Sequence, residues 1–224
     1  MKRYGLVRLL RGLCFALFAF SGLCVLAVFY LKWLPPVSTM VHLQHRAEAV
    51  FASEPYSKQY RFVPLSEISP HLAHAAIAAE DARFFDHGGV DWRELKVIFD
   101  KAQRSGHFPR GGSTITQQLV KNVFLTTHRS LLRKAVEVML TPLAELVLTK
   151  ERILELYLNV VEWGPGVYGA EAAAQFHYGI PARHLTRDQA ARLVACLPAP
   201  LERRPQDMNE RAADIIERMR NMGW

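Results

Sequence analysis

The sequence has few cysteines and almost no alternation of polar and apolar residues. Two of the three cysteines, Cys14 and Cys24, fall in one apolar stretch and Cys196 stands alone, which argues against a disulfide framework. No internal repeat and no low-complexity tract is present, so a repeat array is excluded. The lack of alternation argues against an all-β protein. A composition that is 50% hydrophobic then indicates a mainly helical protein with a real core.

The longest uncharged stretch covers residues 12–31. If these twenty residues form a helix, which rises about 1.5 Å per residue, they span roughly 30 Å, the thickness of the hydrocarbon core of a bilayer. A cleaved signal peptide is the alternative, although its apolar region would be shorter and no small-x-small cleavage site follows. Basic residues before the stretch place residues 1–11 in the cytoplasm. The sequence therefore predicts a single-pass membrane anchor with the chain after Pro36 outside the cytoplasm, which in a bacterium is the periplasm or cell-wall space.

An excess of basic residues gives the chain a formal net charge of +7. This charge suits anionic lipid headgroups or phosphates. Nucleic acid is not expected as a partner, because the domain is predicted to lie outside the cytoplasm. A chain of 224 residues has room for one domain and an appendage. We predict a juxtamembrane connector over residues 32–59 and one folded domain over residues 60–224.

Helical periodicity dominates the predicted domain. Helices are predicted over residues 113–124, 130–148, 150–159, 169–178, 187–197 and 209–222. Upstream, Ser38 is the predicted cap of a connector helix, and Ser69 and Pro70 begin an Ala-rich helix. Another helix begins near Asp91, and residues 104–112 are predicted to form a loop. The predicted fold class is mainly α.

An acidic pair, Glu80 and Asp81, stands where the Ala-rich helix gives way to a glycine turn. A carboxylate at a helix C-terminus faces the negative end of the helix dipole, which raises its pKa and makes it a better proton acceptor. The structural alternative is an ion pair with Arg83 or a neighbouring base. With that alternative open, the pair is the first candidate for acid–base chemistry.

One half of the helix predicted over residues 113–124 carries hydroxyls, amides and a single Lys. The residues on this half are Ser113, Thr114, Gln117, Gln118, Lys121 and Asn122. A merely solvated face more often mixes Glu and Lys at i,i+4 spacing, whereas hydroxyls and amides suit a sugar. An exposed polar face without function is the alternative reading of the same pattern.

The next helix places charge on one face, because Arg129, Arg133 and Glu137 follow i, i+4, i+8 spacing with Lys134 beside them. Two guanidinium groups on one stripe can clamp a phosphate, and an intrahelical Arg133–Glu137 pair is the alternative. Two candidate carboxylates, Glu80 and Glu137, together with a sugar-binding face indicate glycosyl chemistry. The basic residues add stabilisation for a leaving group that departs as a phosphate or pyrophosphate.

Four segments, in this order, resemble a known family. They are Glu80-Asp81-x-x-Phe84-x-x-His87-x-Gly89, Gly111-Gly112-Ser113-Thr114-Ile115-Thr116-Gln117-Gln118-Leu119-x-Lys121-Asn122, Arg133-Lys134-x-x-Glu137 and Lys150-x-x-Ile153-Leu154-Glu155-x-Tyr157-Leu158-Asn159. These resemble the successive motifs of the peptidoglycan glycosyltransferases of family 51, and the size and single anchor resemble its monofunctional members. The sequence contains no Ser-x-x-Lys, so no transpeptidase activity of the bifunctional members is expected. Thr141 departs from the family, which usually has Ala at that position.

The resemblance implies a lysozyme-like helical lobe with a smaller membrane-proximal lobe, preceded by the transmembrane helix. It implies that the protein polymerises lipid II into glycan strands through β-1,4 links and releases undecaprenyl pyrophosphate. Glu80 would be the general base and Glu137 the second catalytic carboxylate, which assists departure or holds a cation or Lys. The substrate-binding residues so implied are Phe84, Ser113, Gln117, Gln118, Lys121, Asn122, Arg129, Arg133 and Lys134.

No cofactor is expected to be required and no metal ligands are predicted, with a divalent cation as an optional helper. The expected partners are lipid II, the growing strand, the membrane and other proteins of cell-wall synthesis. A lytic transglycosylase or lysozyme-type hydrolase is the enzymatic alternative, and it would have little use for a basic pyrophosphate clamp. A non-catalytic scaffold of the wall machinery is the other alternative.

Overall fold

A computed structural model describes residues 2–53, 56–107, 111–128 and 130–224, with side chains in the first helix described at residues 8, 11 and 15 and from residue 18 onward. Within these residues lie ten α-helices and three short strands. The helices are α1 (Lys2–Trp33), α2 (Met40–Ala52), α3 (Pro70–Glu80), α4 (Trp92–Ser105), α5 (Ile115–Phe124), α6 (Leu131–Val147), α7 (Lys150–Val160), α8 (Ala170–Tyr178), α9 (Arg187–Cys196) and α10 (Asn209–Asn221). The strands are β1 (Gln59–Tyr60), β2 (Glu162–Gly164) and β3 (Val167–Tyr168). The mainly helical class is confirmed.

The helices predicted from residue 113 onward are confirmed, and their observed ends lie within two residues of the predicted ones. Their starts are fixed by side-chain caps, which satisfy backbone N–H groups that have no partner inside the helix. Thr114, Ser130, Thr149 and Thr186 each accept a hydrogen bond from a backbone N–H in the first turn of α5, α6, α7 and α9. Hydroxyl residues at these positions therefore make the helix starts readable from sequence.

Two predicted boundaries are wrong. Thr39, rather than Ser38, caps α2, because its Oγ1 accepts from the His42 N–H at 3.2 Å and its own N–H donates to His42 Nδ1 at 3.3 Å. Helix α4 continues to Ser105, beyond the predicted start of the loop at residue 104. Gly106 ends it in a left-handed conformation with φ of 69°.

A small sheet with strand order β1-β3-β2 is the element that the sequence analysis missed. Strand β1 runs parallel to β3, and β2 runs antiparallel to it with an irregular register between Glu162 and Gly164. Strands of two or three residues are too short to show alternation. The sheet ties the end of the predicted connector to the segment after α7.

The helices pack in two groups that meet at the end of α3. Helix α3 packs against α9 and α10, while α5 packs against α6 and α7, and α1 packs on α6. The largest fully buried side chains include Tyr157 of α7, Trp163 of β2 and Tyr168 of β3. Hydrogen bonds from Ile115 and Gln118 of α5 to Asp81 and Glu80 bring the C-terminal end of α3 against the first turns of α5.

Among the residues that the structure describes, none of the helices has the length and apolar character needed to cross a membrane. The anchor over residues 12–31 and the division of the chain into a connector and a domain stay predictions.

Candidate active site

A cavity of about 600 Å³ opens where α3 ends. Its walls are the turn from Ala78 to Arg83, one side of α4, the Gly111–Thr114 segment before α5, and the last turn of α10. This volume falls within the range of ligand-binding clefts in proteins. Glu80 and Asp81 both line it, so the acidic pair singled out from the sequence lies in a cleft.

Glu80 is held by one fixed amide. Gln118 Nε2 donates to Glu80 Oε2 at 2.7 Å, and the Tyr157 hydroxyl donates to Gln118 Oε1 at 3.3 Å. Because Tyr157 is completely buried, it fixes which end of the amide faces Glu80. Among the described residues, the second oxygen of Glu80 has no hydrogen-bond partner. This oxygen is free to accept a proton from a ligand.

Burial is the main cause of an elevated Glu80 pKa. The Gln118 hydrogen bond and the positive charge of Lys121 oppose this rise, while the neighbouring Asp81 carboxylate adds to it. An elevated pKa makes the carboxylate a stronger base, which is the direction predicted from its place at a helix C-terminus.

The predicted alternative, pairing with Arg83 or a neighbouring base, holds for Asp81, which pairs with His87, but not for Glu80, and Arg83 pairs with neither acid. Arg83 instead donates two hydrogen bonds to Asp91, from Nε at 3.0 Å and from Nη2 at 2.5 Å. Asp81 pairs with a different base, because His87 Nε2 lies 2.8 Å from Asp81 Oδ1. Only Glu80 keeps an unpaired oxygen, so the two acids have different roles.

Asp81 ties three segments together. Its Oδ2 accepts from the Ile115 N–H at 3.0 Å, which joins the end of α3 to the start of α5. The Gly89 N–H donates to His87 Nδ1 at 3.1 Å, so the proton of the neutral ring is on Nε2 and points at Asp81. Burial raises the pKa of Asp81, and His87 and the Ile115 N–H act against that rise. Asp81 is therefore a positioning residue for the cleft.

Asp81, His87 and Asp91 also form a group whose ligand atoms lie within 4.8 Å of one another. The sequence analysis predicted no metal ligands, although the spacing of two acids around a His was visible. In the observed arrangement the His87 proton faces Asp81 and the Arg83 guanidinium occupies Asp91. A cation would have to displace both, so the group does not fit a divalent ion as it stands.

Glu137 forms the second charged centre and is 2% exposed. Arg133 Nη1 donates to its Oε2 at 2.6 Å, and Lys134 Nζ donates to its Oε1. Lys134 Nζ also donates to Ser113 Oγ at 2.9 Å, at the wall of the cleft. The Arg133–Glu137 pair weighed as an alternative is thus present. Both oxygens of Glu137 are thus bound by cations. We call Lys121, Arg133 and Lys134 the basic cluster, and Glu137 is the acid that holds it together.

Two groups of this basic cluster lack partners among the described residues. Arg133 Nε is buried without a hydrogen bond, and Lys121 Nζ makes no hydrogen bond or ion pair. Burial is the main cause of a lowered Lys121 pKa, and the charges of Glu137 and Glu80 act in the opposite direction. Arg133 Nε is buried and Lys121 is partly buried, and an unpaired donor away from water is costly unless a ligand satisfies it. The cluster therefore has donors to offer an anion.

Three residues predicted to line the sugar cleft have other partners in the structure. Phe84 is completely buried, with Lys150 Nζ 4.5 Å from the centre of its ring. Gln117 closes a capping box by accepting from the Thr114 N–H at 3.1 Å, and Asn122 donates to the Gln118 carbonyl at 2.8 Å. Burial leaves these side chains little surface for a ligand, so we give them a supporting role.

Arg129 lies outside the described residues. Tyr157 and Lys150 were not among the predicted site residues, although both stand in the fourth motif. Lys150 Nζ donates to the His87 carbonyl at 2.7 Å and to Glu145 at 2.9 Å, so it holds the turn after the acidic pair.

The turn after His87 depends on a glycine, and we expect Gly89→Ala to destabilise the protein by roughly 2–4 kcal/mol. Gly89 has φ of 92°, and an added Cβ would lie 2.5 Å from Thr141 Cγ2 and 2.8 Å from Glu145 Cγ. Urea unfolding of the purified variants measures the change.

The neighbouring Gly88→Ala is the matched control, because an added Cβ there meets nothing within 4 Å. Adding Thr141→Ala to Gly89→Ala should recover part of the loss, since it removes the nearer methyl group. Equal stability of the two single variants would contradict the packing argument.

A mainly helical fold with a carboxylate in a cleft, and a basic cluster beside it, fits an enzyme that transfers glycosyl groups. Comparison with known proteins identifies the family. Residues 47–221 match the sequence model of the family described as Transglycosylase. The chain therefore belongs to the transglycosylase family, and it is a glycosyltransferase.

Three curated relatives, each named biosynthetic peptidoglycan transglycosylase, are similar over most of their length. The relative from Chromohalobacter salexigens is 44% identical over 227 residues, which cover 100% of this chain and 97% of the relative. The relative from Ectopseudomonas mendocina is 44% identical over 222 residues, or 97% of this chain and 90% of the relative. The relative from Pseudomonas entomophila is 44% identical over 194 residues, or 87% of this chain and 82% of the relative.

Proposed function

We propose that this glycosyltransferase polymerises lipid II into linear peptidoglycan strands, forming β-1,4 links and releasing undecaprenyl pyrophosphate. The names of its relatives support peptidoglycan as the product class. The observation that carries the proposal is Glu80, whose free oxygen faces a cleft next to a basic cluster with unsatisfied donors. One carboxylate and one anion clamp are the two parts that transfer from a sugar pyrophosphate needs.

Glu80 acts as the general base in this proposal. Its free oxygen takes the proton from the 4-hydroxyl of the acceptor GlcNAc as that oxygen attacks the anomeric carbon of the donor MurNAc. The bond from the anomeric carbon to the pyrophosphate oxygen breaks, and its electron pair leaves with the pyrophosphate. Attack from the opposite face inverts the anomeric centre, so the product link is β.

The pyrophosphate gains one negative charge when the bond to the anomeric carbon breaks, and the basic cluster stabilises that charge. Lys121 Nζ and Arg133 Nε are the donors without partners among the described residues. Glu137 keeps Arg133 and Lys134 in place, and it does not act as a proton donor since both its oxygens are bound by cations. Arg129 is assigned to the clamp in this proposal by its match to the family's motif position alone, since Ser130 caps α6 and the helix begins after it.

The enzyme is proposed to work at the bacterial inner membrane, with residues 12–31 as anchor and the catalytic domain in the periplasm. The uncharged stretch and the bias of basic residues toward the N-terminus support this orientation. Proteins of cell-wall synthesis are its proposed partners. A divalent cation is not part of any proposed step.

Incubation of the purified, detergent-solubilised protein with labelled lipid II tests the proposal directly. Separation of the products by size should show long glycan from the wild type. Cleavage of finished peptidoglycan without any polymer from lipid II would assign the protein to the hydrolases instead. Inactivity in both assays would favour a scaffold.

The pH dependence of the reaction is expected to report on Glu80. A base must be ionised, and the elevated pKa of Glu80 places the acid limb of the kcat/KM profile above the value of about 4.3 that is usual for Glu. Activity should therefore fall, on lowering the pH, before an ordinary Glu would protonate. Far-UV circular dichroism at each pH separates this loss from unfolding. A limb at the ordinary value would contradict the burial effect.

A further inference from the structure

We infer that Arg218 of α10, with Lys101 of α4, forms a second anion-binding subsite, which binds a carboxylate of the peptide stem on the substrate. The inference rests on the proposed function and extends it from the glycan and its pyrophosphate to the peptide. Both side chains line the cavity that contains Glu80. The cations at Lys121, Arg133 and Lys134 are not part of that cavity wall, so the two basic regions are separate.

Two of the acidic residues of the cavity, Asp81 and Asp91, have partners of their own. Asp81 is bound by His87 and the Ile115 N–H, and Asp91 by Arg83. Lys101 and Arg218 form no ion pair among the described residues.

Glu80 and Glu94 are the other acidic residues of the wall; Glu94 is exposed, and Glu80 is the base of the proposed reaction. Lys101 and Arg218, which are also exposed, are the cations of the wall that form no ion pair among the described residues. A guanidinium without a partner, placed over a cleft, suits a carboxylate that it can bind with two parallel hydrogen bonds.

Helix α10 presents Arg218 from a rigid support. Its buried face, which includes Ile215 and Met219, packs on α9 and α3. Trp224 stacks on His74 of α3, with ring centres 4.3 Å apart and planes within 10°. Arg218 and Asn221, three residues apart, lie on the face toward the cleft. The subsite therefore does not depend on a mobile tail.

The position of α10 indicates which anion it meets. A lipid-linked substrate of the proposed reaction carries pyrophosphate on the lipid side and carboxylates on its peptide stem. The basic cluster lies on α5 and α6, and α6 packs on α1, whereas α10 packs on α9 and α3. With the pyrophosphate assigned to the basic cluster, the stem carboxylate is the anion left for Arg218. Asn221 adds an amide that suits a peptide group.

The test compares lipid II that has free stem carboxylates with lipid II in which these carboxylates are amidated. Arg218→Ala should raise KM about three- to tenfold for the free form, leave kcat unchanged, and match the wild type on the amidated form. Arg218→Lys should recover part of the loss. Arg220→Ala is the matched control, because it removes the same charge from an exposed position of the same helix outside the cavity.

An equal rise in KM on both substrates, or the same values for Arg218→Ala and Arg220→Ala, would overturn the inference. Equilibrium binding of the two substrates to protein carrying Glu80→Gln gives a readout that does not need turnover. Arg218→Ala in that background should weaken binding of the free form only. If the wild type makes polymer but Arg218→Ala binds both substrates as its background does, only the subsite is ruled out. If the wild type makes no polymer from lipid II, the proposed function itself is ruled out.

Discussion

The Glu80→Gln variant is expected to polymerise lipid II about 10²–10⁴-fold more slowly than the wild type, which is the usual contribution of a general base. The amide retains the shape of the side chain and can accept from Gln118 Nε2 as the carboxylate does at 2.7 Å. It cannot take a proton at neutral pH. Continuous assays of glycan formation from labelled lipid II measure the change.

Glu94→Gln is the matched control for this prediction, because Glu94 lines the same cavity but is exposed and lies on α4. It should keep the rate within a few-fold of the wild type. If Glu80→Gln instead turned over within tenfold of the wild type, Glu80 would lose its role as base. Some other group would then have to accept the proton.

The same substitution should leave the fold intact. Burial raises the pKa of Glu80 in the folded protein, so ionising it costs stability as the pH rises from its unfolded value toward its folded one. A neutral amide removes that cost above the folded pKa. Thermal unfolding at pH 7 should therefore show a Tm for Glu80→Gln equal to or above that of the wild type. A lower Tm would mean that the lost activity has a structural part.

The helices could be predicted from sequence because their signals are local. Side chains such as Thr114 and Thr186 lie at the helix starts, and each satisfies a backbone group within its own first turn. The choice between Ser38 and Thr39 could not be made, since both are good caps and the reciprocal bond to His42 decides. The sheet was missed because its strands pair residues about 100 positions apart without a long alternating run.

The acidic pair and the basic cluster could also be found from sequence, but their internal roles could not. Glu80 and Asp81 are neighbours with the same chemistry, and only distant partners distinguish them. Asp81 receives a backbone N–H from Ile115, while Glu80 receives Gln118. The division between positioning residue and base therefore depends on the packing of α3 against α5. The packing of α10 on α3 and α9 brings the end of α10, which no motif marked, to the edge of the cleft.

The Lys121→Ala variant is expected to reduce kcat/KM for lipid II about 10²–10³-fold, which is the usual effect of losing one donor to a developing negative charge. Lys121 is the partly buried cation without a partner among the described residues, and it lies within the electrostatic influence of both Glu80 and Glu137. Its loss leaves the departing pyrophosphate with a weaker clamp. Lys96→Ala, an exposed position of α4 outside the cavity, is the control.

A second readout separates the two ways in which Lys121 acts. Its positive charge lowers the pKa of Glu80 against the effect of burial, so Lys121→Ala should move the acid limb of the pH–rate profile to higher pH. The loss of clamping instead reduces the rate at every pH, including values at which Glu80 is fully ionised. A rate that recovers completely at high pH would assign Lys121 only to the tuning of Glu80. An unchanged rate at all donor concentrations and pH values would remove Lys121 from the leaving-group clamp. A rate that stays low at high pH, where Glu80 is fully ionised, would establish that Lys121 stabilises the pyrophosphate directly.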